Sequence, residues 1–414
     1  MKRILPVLLL AFVVTIASAE EITFVSWNIL NFPGSTGAIR EPEFRTVLST
    51  IGPDVVVAEE VLGTNGRDDF LDHVLNTLEP GAWAAGFFHD GYDTDRALFY
   101  RIGAVEVLDG GWLDTALRDI DWWLLRLPQS GETFRVYVMH LKASTGSDNE
   151  QKRLAEVTIL RNNLDTLDAS LPVLVAGDLN IYGASEPAYQ KLLESGVGQL
   201  HDPIEQPGEW HDNASFAAIH TQSPRTSSFG GGATGGMDDR FDQILVTDDL
   251  LNDSGIELLP ASYTAYGNDG AHFNTSLING PNGVVPDSVA EAIHAASDHL
   301  PMIVTISAPV GTAVAGPVPV RETRLAAAPN PFNPSTRITF LLPESADGGP
   351  LSLLVYEPSG RRVRTLLEGP ARAGEGDTAW DGTDDRGRPV SSGVYILRLL
   401  WNGGSQSGRL VLVR

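Results

Sequence analysis

From Ile22 to Ile306 the chain alternates two kinds of hydrophobic pattern. Short runs rich in β-branched and aromatic residues favour strands, and apolar residues spaced three and four apart favour helices. The predicted strands are Ile22–Trp27, Val55–Ala58, Ala97–Tyr100, Trp122–Leu127, Phe134–Leu141, Val173–Ala176, Phe241–Val246 and Met302–Ile306. The predicted helices carry apolar faces within Phe44–Ile51, Phe70–Leu78 and Leu154–Leu164. Strands and helices that alternate in this way predict an α/β domain.

The pattern changes after Ile306. The stretch Ala308–Val320 consists almost entirely of Ala, Pro, Val and Gly, a composition typical of a linker. Short strands separated by turn residues follow it, without a helical period: Thr336–Leu342, Leu351–Tyr356, Val363–Leu366, Val394–Leu400 and Leu410–Val413. This spacing predicts a linker over 308–325 and a small β-sandwich over 326–414.

The amino terminus has the features of a secretory signal peptide. Met1-Lys2-Arg3 precedes an apolar run from Ile4 to Ile16, and Ala17-Ser18-Ala19 is a small-residue cleavage site. We therefore expect residues 1–19 to be removed and the first domain to span 20–307. No later stretch approaches the roughly 20 apolar residues of a spanning helix, so we expect no transmembrane segment. The predicted location is outside the cell or attached to its surface.

Composition narrows the chemistry of the 414-residue chain. It contains no cysteine, which excludes a thiol nucleophile and a cysteine-ligated zinc site. Its formal net charge is −24, and residues 20–307 carry 43 Asp and Glu against 15 Lys and Arg. This balance weighs against tight nonspecific binding of nucleic acid, whose affinity comes from Lys and Arg. We expect most of the acidic excess to be a solvated surface.

Polar side chains follow the predicted strands of the first domain where each strand ends. They are Asn28, Glu59, Glu60, His140, Asp178, Asn180, Asp242, Asp298 and His299. Strand ends are where α/β proteins gather reacting groups. Oxygen ligands suit a hard divalent cation, and histidines can move protons or contact a phosphate. The set therefore predicts metal-assisted phosphoester hydrolysis.

Single members of this set are ambiguous when taken alone. Asp178 and Asn180 are two residues apart, so an extended backbone points both side chains to one face. His140 shares its face with the apolar alternate positions of its strand, where a histidine is more often a core residue. Asn28 is also a common type of turn residue. Only their occurrence together favours a functional site.

The segments SWNIL, DVVVAEEV, VYVMHLK, VLVAGDLN, DRFDQILV and SDHLP, in this order, resemble the endonuclease/exonuclease/phosphatase superfamily. The resemblance covers roughly residues 22–306. It implies a four-layer α/β sandwich, in which two packed mixed β-sheets are flanked by helices. It also implies an endonuclease-type phosphodiesterase that uses in-line attack of water, with Mg²⁺, or else Mn²⁺ or Ca²⁺, as the cofactor. The implied substrate is a phosphoester, above all nucleic acid.

The resemblance implies roles for the acidic and amide residues. Asn28, Glu60 and Asp298 are similar to the ligands of the divalent cation. Asp178 and Asn180 are similar to the pair that positions the attacking water and the scissile phosphate.

The resemblance also implies roles for the two histidines. His299 is similar to the general base, oriented by Asp242. His140 is similar to the histidine that contacts the phosphate or the leaving oxygen. For His140 an acidic partner is expected, and three candidates remain open: Asp90, Asp93 and Asp95.

Basic residues near the motifs are candidates for contact with the substrate phosphate. They are Lys142, Arg225 and Arg240, the last two flanking a glycine-rich segment, 226–240, that lacks any helix or strand period. This segment is expected to be a loop, either a spacer or a substrate-facing element. The chain departs from the family at Glu59, where the family carries glutamine, and at Met139, where it carries a hydroxyl or amide residue.

The C-terminal segments APNPFNPSTRITFLLP, VYEPSGRRVRTL and WDGTDDRGRPVSSGVYILRL resemble the FlgD-like immunoglobulin-type module and type IX secretion sorting domains. The resemblance covers about 326–414. It implies a small all-β immunoglobulin-like sandwich and recognition by outer-membrane secretion machinery. No obligate oligomer is predicted.

Two alternative functions remain. A sphingomyelinase-like phospholipid phosphodiesterase would need exposed aromatic residues, for which Trp112 and Trp122-Trp123 are the candidates. A noncatalytic surface-binding protein could keep the same fold. Both histidines and all the carboxylates are present, which favours a hydrolase over the noncatalytic alternative.

Overall fold

The computed structural model describes residues 19–252, 255–310, 324–342, 348–356, 362–401 and 404–414. The expected signal peptide, apart from Ala19, and residues 311–323 of the expected linker lie outside the described residues. The strand that ends the first domain continues to Pro309 and the next strand begins at Arg324. Both ends of the expected linker therefore lie in strands.

Twelve strands and six α-helices form the first domain within the described residues. The strands are β1 Ala19–Phe32, β2 Val55–Val61, β3 Trp83–Ala85, β4 Asp95–Arg101, β5 Glu106–Leu113, β6 Ile120–Arg126, β7 Thr133–His140, β8 Val173–Asp178, β9 Asp242–Val246, β10 Glu257–Leu258, β11 Thr264–Ala265 and β12 Met302–Pro309. The helices are α1 Gly37–Ile51, α2 Gly63–Asp69, α3 Asn76–Leu78, α4 Ser147–Leu164, α5 Pro187–Leu192 and α6 Asp287–Ala296. A π-helical turn, Phe70–Leu75, joins α2 to α3.

All eight predicted strands and three predicted helices of this domain coincide with observed elements. The strands that sequence missed are β3, β5, β10 and β11. Of these, β5 is an edge strand that is mostly half-exposed and contains Asp109-Gly110-Gly111, so it lacks a hydrophobic alternation. The helices α2, α5 and α6 were also missed.

Two mixed sheets form the centre of the domain. The first has the order β10-β12-β1-β2-β4-β3, with β11 also paired to β12, and the second has the order β5-β6-β7-β8-β9. Only β1 with β2 and β7 with β8 pair in parallel. The other neighbours within both sheets are antiparallel.

Three hydrophobic layers separate four layers of structure. Phe24 and Val57 of the first sheet face Val136 and Ala176 of the second across a core between the sheets. Residues of opposite parity in the first sheet pack against α1, the π-helical turn and α6, and those in the second pack against α4 and α5. The order helices, sheet, sheet, helices confirms the predicted four-layer α/β sandwich.

The inner faces of both sheets turn polar at one end of this core. Side chains two residues apart on a strand share a face, so Asn28 continues the inward row of Phe24, and His140 continues that of Val136. The strand register sets His140 beside Asp178, and Asp178 beside Asp242. The polar residues at the strand ends therefore converge at the edge of the inter-sheet core.

The C-terminal region forms two small antiparallel sheets. Its strands are β13 Arg324–Ala328, β14 Thr336–Leu342, β15 Pro350–Tyr356, β16 Arg362–Pro370, β17 Gly374–Trp380, β18 Gly393–Trp401 and β19 Gly404–Leu412. They pair as β13-β14-β17 and β16-β15-β18-β19 around a core that contains Trp380. The rings of Phe332 and Tyr395 lie 5.5 and 5.0 Å from it. This arrangement confirms the predicted β-sandwich, although β13 and β17 were not predicted.

No helix within the described residues combines the length and the hydropathy needed to cross a membrane.

Candidate active site

Side chains from four strands meet around Asp178, at the end of β8. Asn28 Nδ2 donates to Asp178 Oδ2 at 3.1 Å and to Glu60 Oε1 at 3.0 Å. His140 Nε2 lies 3.5 Å from Asp178 Oδ2 and 3.8 Å from Glu60 Oε1. All of these side chains are buried except Glu60, which is half-buried. The structure thus assembles residues that lie up to 150 positions apart in sequence.

A local backbone irregularity turns Glu60 into this cluster. By strand parity Glu60 should point away from the inter-sheet face that Glu59 occupies. Its φ of 58° is left-handed, and the register between β1 and β2 shifts after the Asn28 and Glu59 pair. Asn31 N donates to Glu60 Oε2 at 3.0 Å and holds the carboxylate there. A left-handed backbone is unfavourable for a glutamate, which is typical of a functional position.

Asn180 lies next to Asp178, as expected. Its backbone is also left-handed, with a φ of 49°. Its backbone N donates to Asp178 Oδ1 at 3.1 Å, and its side-chain Nδ2 donates to Leu141 O at 3.3 Å. These contacts fix the carboxylate of Asp178 and the amide of Asn180 side by side.

A histidine–aspartate pair adjoins the cluster. His299 Nδ1 donates to Asp242 Oδ2 at 2.8 Å, and His299 Nε2 lies 3.7 Å from Asp178 Oδ2. Trp27 Nε1 donates to the carbonyl oxygen of His299 at 2.8 Å, which anchors its backbone on β1. The structure therefore brings His299 and Asp242 together as the sequence predicts.

The buried ionisable groups perturb one another. Burial raises the pKa of Glu60 above its ordinary value, and it raises the pKa of Asp178 to about 7 against the opposing effect of His299. Burial lowers the pKa of His140 well below its usual range, and the Arg118 guanidinium lowers it further. Burial alone would lower the pKa of His299, but Asp242 and Asp178 raise it well above its ordinary value.

The donor set fits a divalent cation. Glu60, His140 and Asp178 each offer one ligand atom, and these atoms lie within 4.8 Å of one another. Two carboxylates suit a hard cation such as Mg²⁺ or Mn²⁺, and an imidazole suits a transition metal. Asn28 presents Nδ2 to both carboxylates while its Oδ1 accepts from Leu30 N at 3.0 Å, so its role as a metal ligand stays a prediction. A cation there would stabilise the ionised forms of Glu60 and Asp178, which burial disfavours.

Asp298 stands apart from this three-residue group. Its Oδ2 accepts from Ala233 N at 2.6 Å, and its buried Oδ1 has no hydrogen-bond partner among the described residues. The glycine-rich segment 226–240 packs closely here, since a Cβ on Gly232 would lie 2.6 Å from Asp298 Cγ. The role of Asp298 as a metal ligand stays a prediction.

The structure corrects two expected phosphate contacts. Arg240 is buried and donates from both terminal nitrogens to Asp202, at 2.7 and 2.9 Å. Arg225 is buried and donates to the backbone carbonyl oxygens of Phe229, His294 and Ala295. A guanidinium removed from water must find such partners inside the protein, so neither residue is available to a substrate.

Lys142 remains a candidate for phosphate contact. Its side chain is half-buried, and Nζ donates to the carbonyl oxygen of Ala143 at 2.8 Å. A lysine ammonium carries three donors, so this contact leaves two for another acceptor. Its role stays a prediction.

None of the three aspartates expected as partners of His140 has a described contact with it. Asp90 accepts from Thr64, Asp93 pairs with Arg118, and Asp95 accepts from the backbone of Gly63 and Gly91. The acidic neighbours of the imidazole are instead Glu60 and Asp178. The expected pairing is therefore not seen among the described contacts, because each of the three aspartates contacts other groups.

Three further residues of the site were not found from sequence. Ser26 Oγ donates to the buried Glu59 at 3.0 Å, and Arg118 Nη1 donates to the carbonyl oxygen of His140 at 3.1 Å. Gln222 Nε2 lies 2.6 Å from His299 Nε2. Ser26 shares strand parity with Asn28, which is a usable signal. Nothing in the sequence around Arg118 or Gln222 marks them.

Comparison with known proteins identifies the family of the first domain. A family model described as "Endonuclease/Exonuclease/phosphatase family" matches residues 25–299, more than half of the chain. The chain therefore belongs to this family, and its first domain has the family's hydrolase fold. A second model, "FlgD Ig-like domain", matches residues 329–400 and confirms the immunoglobulin-type module.

No curated protein matches the chain. Among solved structures, TDP2 from D. rerio in complex with a single-stranded DNA product is similar at 16% identity and a TM-score of 0.48, covering 69% of this chain and 98% of that one. The human nocturnin catalytic domain with bound sulfate is similar at 19% identity and 0.45, covering 71% and 96%. A mannosyl-6-phosphatase from Bacteroides thetaiotaomicron is similar at 18% identity and 0.43, covering 69% and 99%.

Proposed function

We propose that this protein is a secreted phosphodiesterase that requires a divalent cation and cleaves nucleic acid. The observation that carries the proposal is the shared position of Asp178. On one side it adjoins Glu60 and His140, and on the other it lies 3.7 Å from His299 Nε2. A candidate cation site and a histidine paired with Asp242 thus flank one carboxylate, an arrangement that suits metal-assisted hydrolysis.

The residues of the chain divide the work as follows. Asp242 accepts from His299 Nδ1, which directs Nε2 towards Asp178. In the neutral form of His299, Nε2 can then take a proton from water. Asp178 and Asn180 are fixed side by side at the place where that water and the phosphate would meet. Proton transfer by a positioned histidine typically contributes 10²- to 10⁴-fold.

Glu60 and Asp178 would hold the cation, with His140 beside them, and Asn28 would orient both carboxylates through Nδ2. When bound, the cation offsets negative charge on the phosphoryl oxygens. The charge of −28 on residues 20–307 favours such a cation-mediated contact over a broad basic groove.

A second candidate substrate is a phospholipid. Trp112 is 41% exposed and Phe87 is 40% exposed, and their rings stack at 5.9 Å. Exposed aromatic rings of this kind suit the interface of a bilayer. Trp123, by contrast, belongs to the core between the sheets.

The test uses the mature chain, residues 20–414, with duplex DNA, RNA, bis-nitrophenyl phosphate and sphingomyelin. Each substrate is assayed with Mg²⁺, Mn²⁺, Ca²⁺ or EDTA. We expect turnover of nucleic acid with a divalent cation, none with EDTA, and at least about a 100-fold loss in His299→Ala. Turnover of sphingomyelin alone would favour the phospholipid substrate. The hydrolase proposal fails if no substrate is cleaved with any metal, or if His299→Ala keeps full activity.

We also propose that the chain is exported across both membranes of a bacterial cell. The support is the signal-like segment 1–19 and the resemblance of 326–414 to sorting domains. Deletion of 326–414 should retain the protein in the periplasm, as measured by cell fractionation. Unchanged secretion would contradict the role of this domain.

A further inference from the structure

The imidazole of His299 is contacted at both of its nitrogens. Nδ1 donates to Asp242 Oδ2 at 2.8 Å, and Nε2 lies 2.6 Å from Gln222 Nε2. Nε2 is the atom that would take the proton from water in the proposed function. The side-chain amide of Gln222 therefore contacts Nε2, the nitrogen through which His299 would act as the base.

The backbone of Gln222 is fixed while its side chain is half-buried. Gln222 N donates to Asp239 O at 3.1 Å, and Gln222 O accepts from Asp238 N at 3.0 Å and Asp239 N at 3.1 Å. Gln222 also forms an antiparallel bridge with His299. Such anchoring leaves only the side-chain torsions free to move.

The residue before it reaches the other member of the pair. Thr221 Oγ1 accepts from Asp242 N at 3.1 Å, and Thr221 O accepts from Leu300 N at 2.8 Å. The dipeptide Thr221-Gln222 thus contacts Asp242 by its first side chain and His299 by its second. It links two residues that are 57 positions apart.

A primary amide suits this position chemically. It carries both a donor and an acceptor, so it can donate to Nε2 of the neutral imidazole. Turned by 180°, the same amide accepts from Nε2 after that atom has gained a proton. A carboxylate has no donor for the first state, and an ammonium has no acceptor for the second.

We infer that Gln222 is a positioning residue for His299. It holds the imidazole with Nε2 directed into the site, and it gives up this contact when water and the phosphoester enter. The inference rests on the proposed function. Loss of the amide has two opposite consequences. The imidazole of His299 is held less firmly, which lowers kcat, but water and the phosphoester no longer compete with Gln222 for Nε2, which lowers KM.

The kinetic test compares Gln222→Met, which keeps the length of the side chain without its hydrogen bonds, with Gln222→Asn, which keeps a shorter amide. Gln199→Met is the matched control, since Gln199 lies beside Gly196 and Asp248, at the opposite end of the second sheet. For Gln222→Met we expect kcat to fall about threefold to tenfold, the loss of one hydrogen bond, and KM to fall about twofold or more. Gln222→Asn should restore part of kcat, and Gln199→Met should match the wild type.

A merely structural role would lower the unfolding temperature or raise KM, and either result with an unchanged kcat would overturn the inference. A second readout needs no activity. In protein labelled with ¹⁵N-histidine, the Nε2 resonance of His299, assigned with His299→Asn, should shift in Gln222→Met and not in Gln199→Met. Hydrolysis together with an unchanged resonance overturns the inference alone. Absence of hydrolysis, even with a shifted resonance, removes the proposed function and with it the role of Gln222.

Discussion

Replacement of Arg240 by methionine would leave a buried carboxylate without its cation. Arg240 is 1% exposed and Asp202 8%, and the two form paired hydrogen bonds of 2.7 and 2.9 Å. The guanidinium also lies 5.4 Å from the ring centre of Trp210. In the variant, Asp202 would keep its hydrogen bond from Tyr189 Oη at 2.8 Å and lose both bonds from Arg240.

Two estimates bound the loss of stability. Removal of one partner of a buried ion pair typically costs about 3 to 5 kcal/mol. Burial would raise the pKa of Asp202, but Arg240 more than offsets this and holds it below its ordinary value. Without Arg240 the carboxyl can take up a proton, and for a group with a pKa near 4 this costs about 4 kcal/mol at pH 7. We therefore expect a loss of about 3 to 4 kcal/mol.

The assay is urea unfolding at pH 7, followed by tryptophan fluorescence, for the wild type, Arg240→Met and the double variant with Asp202→Asn. The double variant should recover part of the loss, because it contains no buried unpaired charge. KM measured on the folded fraction should stay within about twofold, since Arg240 faces the interior. If Arg240→Met lowers the unfolding free energy by less than about 1 kcal/mol and raises KM tenfold, the structural role is refuted. The result would instead favour a contact between Arg240 and the substrate phosphate.

Three further predictions concern acidic residues. Mn²⁺ at about 100 times its Kd should raise the unfolding free energy of the wild type by about 2.7 kcal/mol, as measured by thermal unfolding. Glu60→Gln should lose most of this stabilisation, and the surface control Glu106→Gln should keep it. Equal stabilisation of all three proteins would contradict the cation site. Burial raises the pKa of Glu156 from 4.5 to about 7, so its contribution to stability is full below pH 4.5 and is lost as the pH rises through 7. In urea unfolding, Glu156→Gln should therefore gain roughly 2 to 3 kcal/mol over the wild type at pH 8 relative to pH 5, and no gain would contradict the assignment. Burial also raises the pKa of Glu59 well above its usual range, so the neutral variant Glu59→Gln should change the unfolding free energy by less than about 1 kcal/mol. Glu59→Ala leaves Ser26 Oγ unpaired and should lower the unfolding free energy by about 2 kcal/mol or more.

Local periodicity explains which parts of the fold were predictable. Strands such as β7 and β8 are predictable from their apolar runs. The parity of His140 with Val136 and Val138 places its side chain on the inter-sheet face. Strand β5 was missed because Asp109 and two glycines interrupt its hydrophobic pattern. The strand is stabilised by its hydrogen-bonded pairing with β6. Pairing with a neighbour is invisible to a pattern within one segment.

The sequence by itself determined the two domains, the alternation of strands and helices, and the polar residue types that end the inner strands. It also determined the absence of thiol chemistry, because the chain has no cysteine. These features depend on residue type and on neighbours along the chain, which any segment carries with it.

Only the tertiary structure decided which polar groups pair with one another and which stay available to a substrate. Arg240 finds Asp202 across 38 residues, and His299 meets Gln222 across 77. The left-handed backbone of Glu60 depends on Asn31 and on the register of β1 with β2. Buried charges take whichever partner the packing brings within reach, so burial and contact, which no single segment contains, separate the site from its surroundings.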